Sequence, residues 1–380
     1  MGQQLRSCDV GSLPFSGDYA KFLAGAELYN SLSTLLRPQD PSVSEPCRYF
    51  EKKIIEGLLA KIEAGIDVPN YPQFRDMNEM FLQLIDGVRK TKNGYELVSK
   101  LSLHSESRGL QELEAINRNV SQIIDAAGRQ VELKICVTGP YTLSSLFLNR
   151  TSEMFHQFSE VLGKIIEANA LGHADVEVVL VAIDEPVFGL VSDTLLDHGS
   201  LGREVLLKAW ETICYQARSK GAKTLIHLHS TADDLFWNVR HLDLIQPHVD
   251  DPLYESAAAK QMCDRFDKSL KASIAITDFD RLIRERIVVS NPRLDDTSIG
   301  QSIADAWASI RNGKVDPTTY LETEKTMERR LRRIMKLFGE ERVLFAGPEC
   351  GMRSFPNLGC ALECLRRVSR AKRAESQRVD

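Results

Sequence analysis

The residues best suited to chemistry are two histidines and a cysteine beside short apolar runs. His227 and His229 are two residues apart in Thr224–Ser230, TLIHLHS. Residues two apart on a strand point to the same face, so both imidazoles could bind one ion. Cys350 follows another apolar run through Gly347-Pro348-Glu349, a setting that fits a zinc ligand or a nucleophile. The histidine pair alone would also fit two histidines that are merely hydrogen-bonded.

Carboxylates also stand at the ends of apolar runs. Asp184 and Glu185 directly follow Val176–Ile183, the most apolar run in the chain, and Pro186 comes next. A buried, unpaired charge is costly, which favours a binding role for this pair. A helix cap or a structural salt bridge is the alternative. A later apolar run ends with three more candidate ligands, which are His248, Asp250 and Asp251.

These side chains all lie where predicted strands end. Short apolar runs alternate with amphipathic stretches of helical spacing, which indicates βα units and a parallel sheet. The predicted strands cover residues 8–11, 66–68, 131–138, 176–183, 224–228, 242–249, 271–277 and 343–346. Eight units predict an α/β fold, a single (β/α)8 TIM barrel with an N-terminal helical extension. An open sheet of seven or eight strands is the alternative. Chemistry in a barrel takes place at the carboxyl ends of the strands.

The barrel is expected to occupy residues 1–370. Residues 371–380 are polar and are predicted to form a fraying tail. Arg37–Pro46 is rich in turn-forming residues and predicts a loop between helices. Cys360 and Cys364 are four residues apart on a predicted helix, which favours packing over metal ligation.

Composition narrows the class of protein. The 380 residues are 43% hydrophobic and 27% charged, which excludes disordered, collagen-like and coiled-coil proteins. A net charge of −5 gives no general attraction to nucleic acid or anionic lipid. The chain begins without an apolar signal segment and has no run of about 20 apolar residues, so we expect a cytoplasmic protein. Eight cysteines at this density are expected to be free thiols or ligands.

Five motifs, taken in order, resemble the cobalamin-independent methionine synthase family. The likeness is to its C-terminal catalytic barrel and to short core forms that lack the N-terminal half, and it runs from Val10 to about Arg367. The matching segments are Val10-Gly11-Ser12, Gly65-Ile66-Asp67, Arg75 with Asp76-Met77, Thr138-Gly139-Pro140, and Ile183-Asp184-Glu185-Pro186. The resemblance implies a TIM barrel that moves a methyl group to a thiol.

The resemblance also implies a zinc ion as cofactor. The family binds zinc through a His-x-Cys pair, a Glu one strand later and a Cys in Pro-Asp/Glu-Cys-Gly. Here the ligands would be His227, His229 in place of the first cysteine, Asp251 and Cys350. Asp251 is nearest by position to the family's Glu, and His248 and Asp250 remain alternatives. His229 either ligates the metal or marks a changed site.

Substrate and catalytic roles follow from the same resemblance. Asp184 would bind the substrate ammonium, and Ser12 with the Gly11 backbone would bind the carboxylate. The remaining implied substrate-binding residues are Gln73, which replaces the family's acidic residue, Arg75 and Glu185. Asp278 stands near the place of the family's catalytic histidine, so Asp184 and Asp278 are the catalytic candidates.

These residues predict a zinc-dependent methyltransferase whose acceptor is homocysteine and whose product is methionine. The donor would be a methylcorrinoid, free or on a corrinoid protein, or an unknown compound. Three alternatives stand beside this hypothesis: a related enzyme acting on another thiol such as coenzyme M, a uroporphyrinogen-decarboxylase-like lyase, and a catalytically silent ligand-binding barrel. The expected partner is a small-molecule thiol, with neither nucleic acid nor membrane.

Overall fold

The computed structural model describes residues 4–31, 41–105, 109–169 and 175–379. The strands are β1 Arg6–Ser7, β2 Ile85–Thr91, β3 Gly94–Leu103, β4 Val131–Thr138, β5 Val176–Glu185, β6 Lys223–Leu228, β7 Leu244–Gln246, β8 Ser269–Ala275 and β9 Val343–Pro348. The helices are α1 Tyr19–Ser31, α2 Pro41–Glu63, α3 Glu79–Leu82, α4 Gln111–Arg118, α5 Val120–Ala127, α6 Pro140–Ser144, α7 Glu153–Ala168, α8 Leu201–Ser219, α9 Ala257–Phe266, α10 Phe279–Ser290, α11 Asp296–Arg311, α12 Glu324–Phe338 and α13 Leu358–Val379. Within these ranges, no helix combines the length and apolar character needed to cross a membrane.

A curled parallel sheet forms the centre of the fold. Its seven strands run in the order β1-β9-β8-β7-β6-β5-β4. The gap between β1 and β4 is filled by residues 68–70, which pair in parallel with both neighbours, Val68 with Cys8 and Asn70 with Lys134. The Val68 N–H donates to the Ser7 carbonyl at 2.9 Å. This eighth segment closes the sheet, so the predicted α/β barrel is confirmed.

Two predicted strands differ from the observed ones. The strand expected at 242–249 is only Leu244–Gln246, because Pro247 has no N–H to continue the ladder. His248 therefore lies in a loop beyond the strand end. The first strand is Arg6–Ser7, earlier than the predicted 8–11. The antiparallel hairpin of β2 and β3 was not predicted, since it is an insertion outside the βα repeat.

Helices replace two segments that were expected to be irregular. Pro41–Pro46, the described part of the predicted loop 37–46, forms the start of α2, and residues 37–40 lie outside the described ranges. Residues 371–379 continue α13 instead of fraying. Ala371 is fully buried there, and Lys372 pairs with Asp67 at 2.9 Å. These contacts hold the end of α13 against the first barrel units.

Buried charged side chains surround the end of β1. Lys61 and Asp9 are fully buried and pair at 2.8 Å. Lys61 also donates to the carbonyls of Gly11, at 2.8 Å, and Asn70, at 3.0 Å. Lys134 donates to the carbonyls of Asp9, at 2.9 Å, and Val10, at 3.2 Å. Lysine side chains therefore connect the end of β1 to the segment that closes the barrel.

We expect Lys61→Met to destabilise the protein by about 3–5 kcal/mol, because the Asp9 charge would remain buried without its partner. Urea unfolding of the purified protein measures this loss. Lys52→Met is the matched control on the same helix, since Lys52 is exposed and pairs only with Glu56 at 3.7 Å. Equal unfolding midpoints for the two variants would contradict a structural role for the buried pair.

Candidate metal centre and cavity

Four side chains converge at the carboxyl end of the barrel. His227 belongs to β6, His229 follows that strand, His248 follows β7 and Cys350 follows β9. One metal-donor atom from each of these residues lies within 4.8 Å of the others. We call these four residues the donor group. The sequence predicted three of the four as ligands, and considered His248 as an alternative to Asp251. Ligands from three strand ends can meet here because parallel strands end at one edge of the sheet.

The group has the donor chemistry of a metal site, and one pair of its donors has the spacing expected around a bound ion. The Cys350 Sγ lies 3.5 Å from His229 Nε2, and donor atoms around one tetrahedral zinc ion are about 3.3–3.8 Å apart. The Nε2 atoms of His227 and His248 are buried, and no described residue forms a hydrogen bond with either of them. His227 Nδ1 faces the Gln246 carbonyl at 3.4 Å, which favours a proton on Nδ1 and a bare Nε2. A bound ion would supply the partner that these two imidazole nitrogens lack.

Burial keeps the four donors neutral. It lowers the pKa of His229 to about 4 and that of His248 to about 3, and it holds the pKa of His227 well below its usual value. Burial raises the pKa of the Cys350 thiol to about 11. At neutral pH the histidines are thus ready to ligate, and a metal would displace one proton, from Cys350.

Asp251, the expected acidic ligand, is not in the group. Its carboxylate accepts hydrogen bonds from the Thr231 hydroxyl at 2.5 Å and the Leu253 N–H at 2.8 Å. It therefore caps the short helical turn Pro252–Glu255 and fastens the loop after β6. Asp250 faces Arg281, at 2.5 Å. His248 occupies the place that the prediction gave to Asp251.

A cavity of about 320 Å³ adjoins the donor group. Its walls come from the ends of the first, second, fourth, fifth and eighth barrel units. The lining residues are Val10, Ser12, Gln73, Arg75, Asp76, Met77, Asp184, Pro186, His227, His229, Cys350, Gly351, Arg353 and Ser354. The volume suits a small molecule of amino-acid size.

Asp184 presents a charged group with an open hydrogen-bonding site to this cavity. Its Oδ1 is buried and has no hydrogen-bond partner within the described ranges. Burial raises the pKa of Asp184 to about 6, and the Lys134 ammonium opposes that rise. The carboxylate is therefore mainly ionised at neutral pH. Asp184 also lies beside His227 in the pairing of β5 with β6, so a ligand of Asp184 would be close to the metal group.

Glu185 and Asp278 do not line the cavity. Glu185 is fully buried and accepts hydrogen bonds from the N–H groups of Tyr141, at 3.0 Å, and Thr142, at 2.7 Å, and from the Trp210 indole, at 2.8 Å. Neighbours on a strand point to opposite faces, so Glu185 points away from the face of β5 that carries Asp184. Its carboxylate instead caps the N-terminus of α6. Asp278 is exposed and caps α10 by accepting the Arg281 N–H at 3.1 Å. Neither placement supports the expected catalytic or substrate-binding role.

The other expected substrate-binding residues surround the cavity in different ways. Ser12 and Gln73 line it, and Gln73 donates to the Tyr71 hydroxyl at 3.0 Å. Arg75 also lines it, but Glu112 holds its guanidinium with two hydrogen bonds, of 2.8 and 2.7 Å. Gly11 is not a lining residue. It has φ +148°, and a Cβ there would meet the Gln73 side chain, so its role is to let the first two strand ends approach.

Sequence reasoning missed two residues beside the site. Arg353 lines the cavity, is exposed, and has no carboxylate of the described residues within ion-pair distance. Glu349 is buried beside His248, with its Oε2 3.8 Å from His248 Nδ1. Both residues lie in the Pro348–Arg353 segment that contains Cys350. Two charged residues so close to a candidate ligand were the sequence feature that could have identified them.

Comparison with known proteins supports the resemblance at the level of the fold. A B12-independent methionine synthase from Shewanella sp. W3-18-1, solved in complex with selenomethionine, superposes with a TM-score of 0.60 at 14% identity, covering 99% of each chain. A candidate vitamin-B12-independent methionine synthase from Listeria monocytogenes gives a TM-score of 0.59 at 14% identity and the same coverage. No family model and no curated sequence matches this chain. At this identity the likeness establishes a shared barrel fold.

We expect His248→Ala to weaken zinc binding at least tenfold, because it removes a ligand, whereas Asp251→Ala should leave zinc affinity unchanged and lower the unfolding temperature. Competition with a chromophoric chelator measures the affinity of each folded variant. His241→Ala is a control, since His241 pairs with Glu211 away from the cavity. The reverse order of affinities, with Asp251→Ala weaker, would restore Asp251 as the ligand.

Proposed function

We propose that this protein is a zinc-dependent methyltransferase that transfers a methyl group to the thiol of homocysteine. One observation carries the proposal: the His/Cys donor group and the ionised Asp184 share one small cavity, at the catalytic end of a barrel like that of methionine synthases. A thiol that also carries an amine would reach both. The selenomethionine in the Shewanella protein is an amino acid of corresponding size.

Asp184 is the group that would recognise the amine. Its Oδ1 has no hydrogen-bond partner in the described part of the chain, and an ammonium ion would supply one. A charge-assisted hydrogen bond in a buried site is stronger than one between neutral groups. The bound ammonium would also offset the burial that raises the pKa of Asp184, and would keep this carboxylate ionised.

Ser12 and Arg353 are the groups available to the carboxylate. Both line the cavity. Arg353 is the better source of charge, because the other arginine in the lining, Arg75, is neutralised by Glu112. A cavity that presents the open oxygen of Asp184 and the guanidinium of Arg353 matches an amino-acid zwitterion.

In the reaction, the bond between the donor and its methyl group breaks, a carbon–sulfur bond forms, and the thiol proton leaves. A free thiol is mostly protonated at pH 7 and reacts poorly. Bound zinc would hold the thiol as a nucleophilic thiolate. His227, His229, His248 and Cys350 would hold the ion, with one position exchangeable for the substrate sulfur. Asp184 would fix the amino-acid end of the substrate so that its sulfur lies near the ion.

The uroporphyrinogen-decarboxylase-like alternative is less well supported by this cavity. A ligand with several carboxylates would need several open cationic side chains. Arg75 is held by Glu112, which leaves Arg353 as the one open guanidinium in the lining described above. A lyase of that kind would also leave the His/Cys donor group without a role.

A direct assay tests the proposal. Zinc-loaded protein, incubated with homocysteine and methylcobalamin, should form methionine, and methyltetrahydrofolate should give little or none. Cys350→Ala should lose both zinc and activity, because it removes the only thiolate of the donor group. Robust turnover with the folate donor would contradict the corrinoid part of the proposal. No thiol methylation with either donor, despite bound zinc, would contradict the methyltransferase itself.

Charge-deleted ligands test the two ends of the substrate separately. Asp184→Asn should weaken homocysteine binding by about 1.5–3 kcal/mol, which is the scale of a hydrogen bond to a charged group, and should leave zinc in place. The same variant should bind 4-mercaptobutanoic acid, which lacks the amine, as well as wild type does. Arg353→Gln should show the opposite selectivity: it should lose about threefold to tenfold for both acids and nothing for 3-aminopropane-1-thiol. Equal losses for all three ligands would indicate distortion of the cavity instead of recognition.

A further inference from the structure

Glu349 is a buried carboxylate that joins three strand ends beside the donor group. Its Oε2 accepts the Val249 N–H, beyond β7, at 3.0 Å. Its Oε1 accepts the Thr277 N–H, beyond β8, at 2.9 Å. Glu349 itself directly follows β9 and precedes Cys350. One side chain therefore fixes the loops that follow three adjacent strands.

The same carboxylate lies near Nδ1 of His248, a histidine of the donor group. Glu349 Oε2 lies 3.8 Å from His248 Nδ1, while His248 Nε2 is buried and has no hydrogen-bond partner among the described residues. A carboxylate on the Nδ1 side favours the tautomer with its proton on Nδ1. That tautomer leaves the Nε2 lone pair free to bind a metal. Histidine ligands of metals are commonly held by such an outer carboxylate.

Glu185 provides an internal comparison. It too is buried at a strand end and accepts two backbone N–H groups, from Tyr141 and Thr142. Its further partners are the Thr142 hydroxyl, at 2.6 Å, and the Trp210 indole, at 2.8 Å, and none of these belongs to the donor group. The hydrogen bonds of Glu185 to the described residues thus hold only the neighbouring loop and helices. Glu349 differs in its contact with a histidine of the donor group.

We propose that Glu349 is a positioning residue of the metal centre, which orients His248 for ligation and holds the Cys350 loop. The carboxylate of Glu349 would then orient the ligand His248 and would not bind the ion itself. This inference rests on the metal centre of the proposed function, although it does not require that the protein transfer a methyl group.

The zinc affinity of the 380-residue protein tests this role. We expect Glu349→Gln to bind zinc about 10- to 100-fold more weakly than wild type, the range found when outer partners of metal ligands are lost. Glu185→Gln is the matched control and should keep wild-type zinc affinity even if it unfolds at a lower temperature. Cobalt substitution gives a second readout, since the absorption of the Cys350-ligated ion should change in Glu349→Gln and not in Glu185→Gln.

A double-mutant cycle separates orientation of His248 from general stabilisation. If Glu349 acts through His248, adding Glu349→Gln to His248→Ala should reduce zinc affinity much less than it does in wild type. Glu349→Asp keeps the carboxylate, so its zinc affinity should lie between those of wild type and Glu349→Gln. This variant replaces Glu349→Gln in the measurement if Glu349→Gln does not fold. Unchanged zinc affinity in folded Glu349→Gln or Glu349→Asp would overturn the proposal, as would fully additive losses in the cycle.

The outcomes also separate this inference from the proposed function. Tight zinc binding by wild type without methylation of any thiol would contradict the methyltransferase and leave the role of Glu349 standing. Methyl transfer by wild type, with equal zinc affinity in wild type and Glu349→Gln, would contradict the role of Glu349 alone. A wild-type protein that does not bind zinc would contradict both.

Discussion

The pair of Asp9 and Lys61 holds the barrel closed where its hydrogen-bonded sheet is weakest. The segment at residues 68–70 pairs with its neighbours at single positions, not along a full ladder. Lys61 compensates by donating to Asp9 and to the carbonyls of Gly11 and Asn70, and Asp9 accepts the Asn70 N–H at 2.7 Å. Every one of these contacts is buried, so water does not compete for them. The positions of Ser12 and Gln73 in the cavity wall depend on this closure.

The lysines inside the barrel also set the electrostatics of the cavity above them. Lys271 donates to the Pro348 carbonyl at 2.9 Å, directly below the Cys350 loop. Lys134 opposes the burial that would otherwise neutralise Asp184. Because the free donor group is uncharged, these ammonium groups favour negative charge in the cavity, including an ionised carboxylate and a thiolate. The interior of the barrel thus contributes to the chemistry proposed at its end.

The acidic residues of this molecule show how similar side chains receive different roles. One carboxylate oxygen of Asp184 accepts no hydrogen bond from the described residues. Both oxygens of Glu185 accept hydrogen bonds, and the carboxylate of Asp251 caps a turn. A buried carboxylate with all its oxygens satisfied stabilises the loops around it. A buried carboxylate with an open oxygen is costly unless a ligand completes it. This difference, and not the residue type, distinguishes the binding candidate from the structural ones.

The sequence by itself determined the barrel, the shared face of His227 and His229, and the strand-end position of Cys350. Those features depend on local periodicity and on the rule that parallel strands end at one edge. Only the tertiary structure decided between His248 and Asp251. Pro247 ends β7 early, and Asp250 then takes a positive φ of 62°, so the chain turns His248 toward the donor group and Asp251 toward Thr231. Residues only three positions apart in a loop can point to different partners, and those partners come from distant segments that no local pattern specifies.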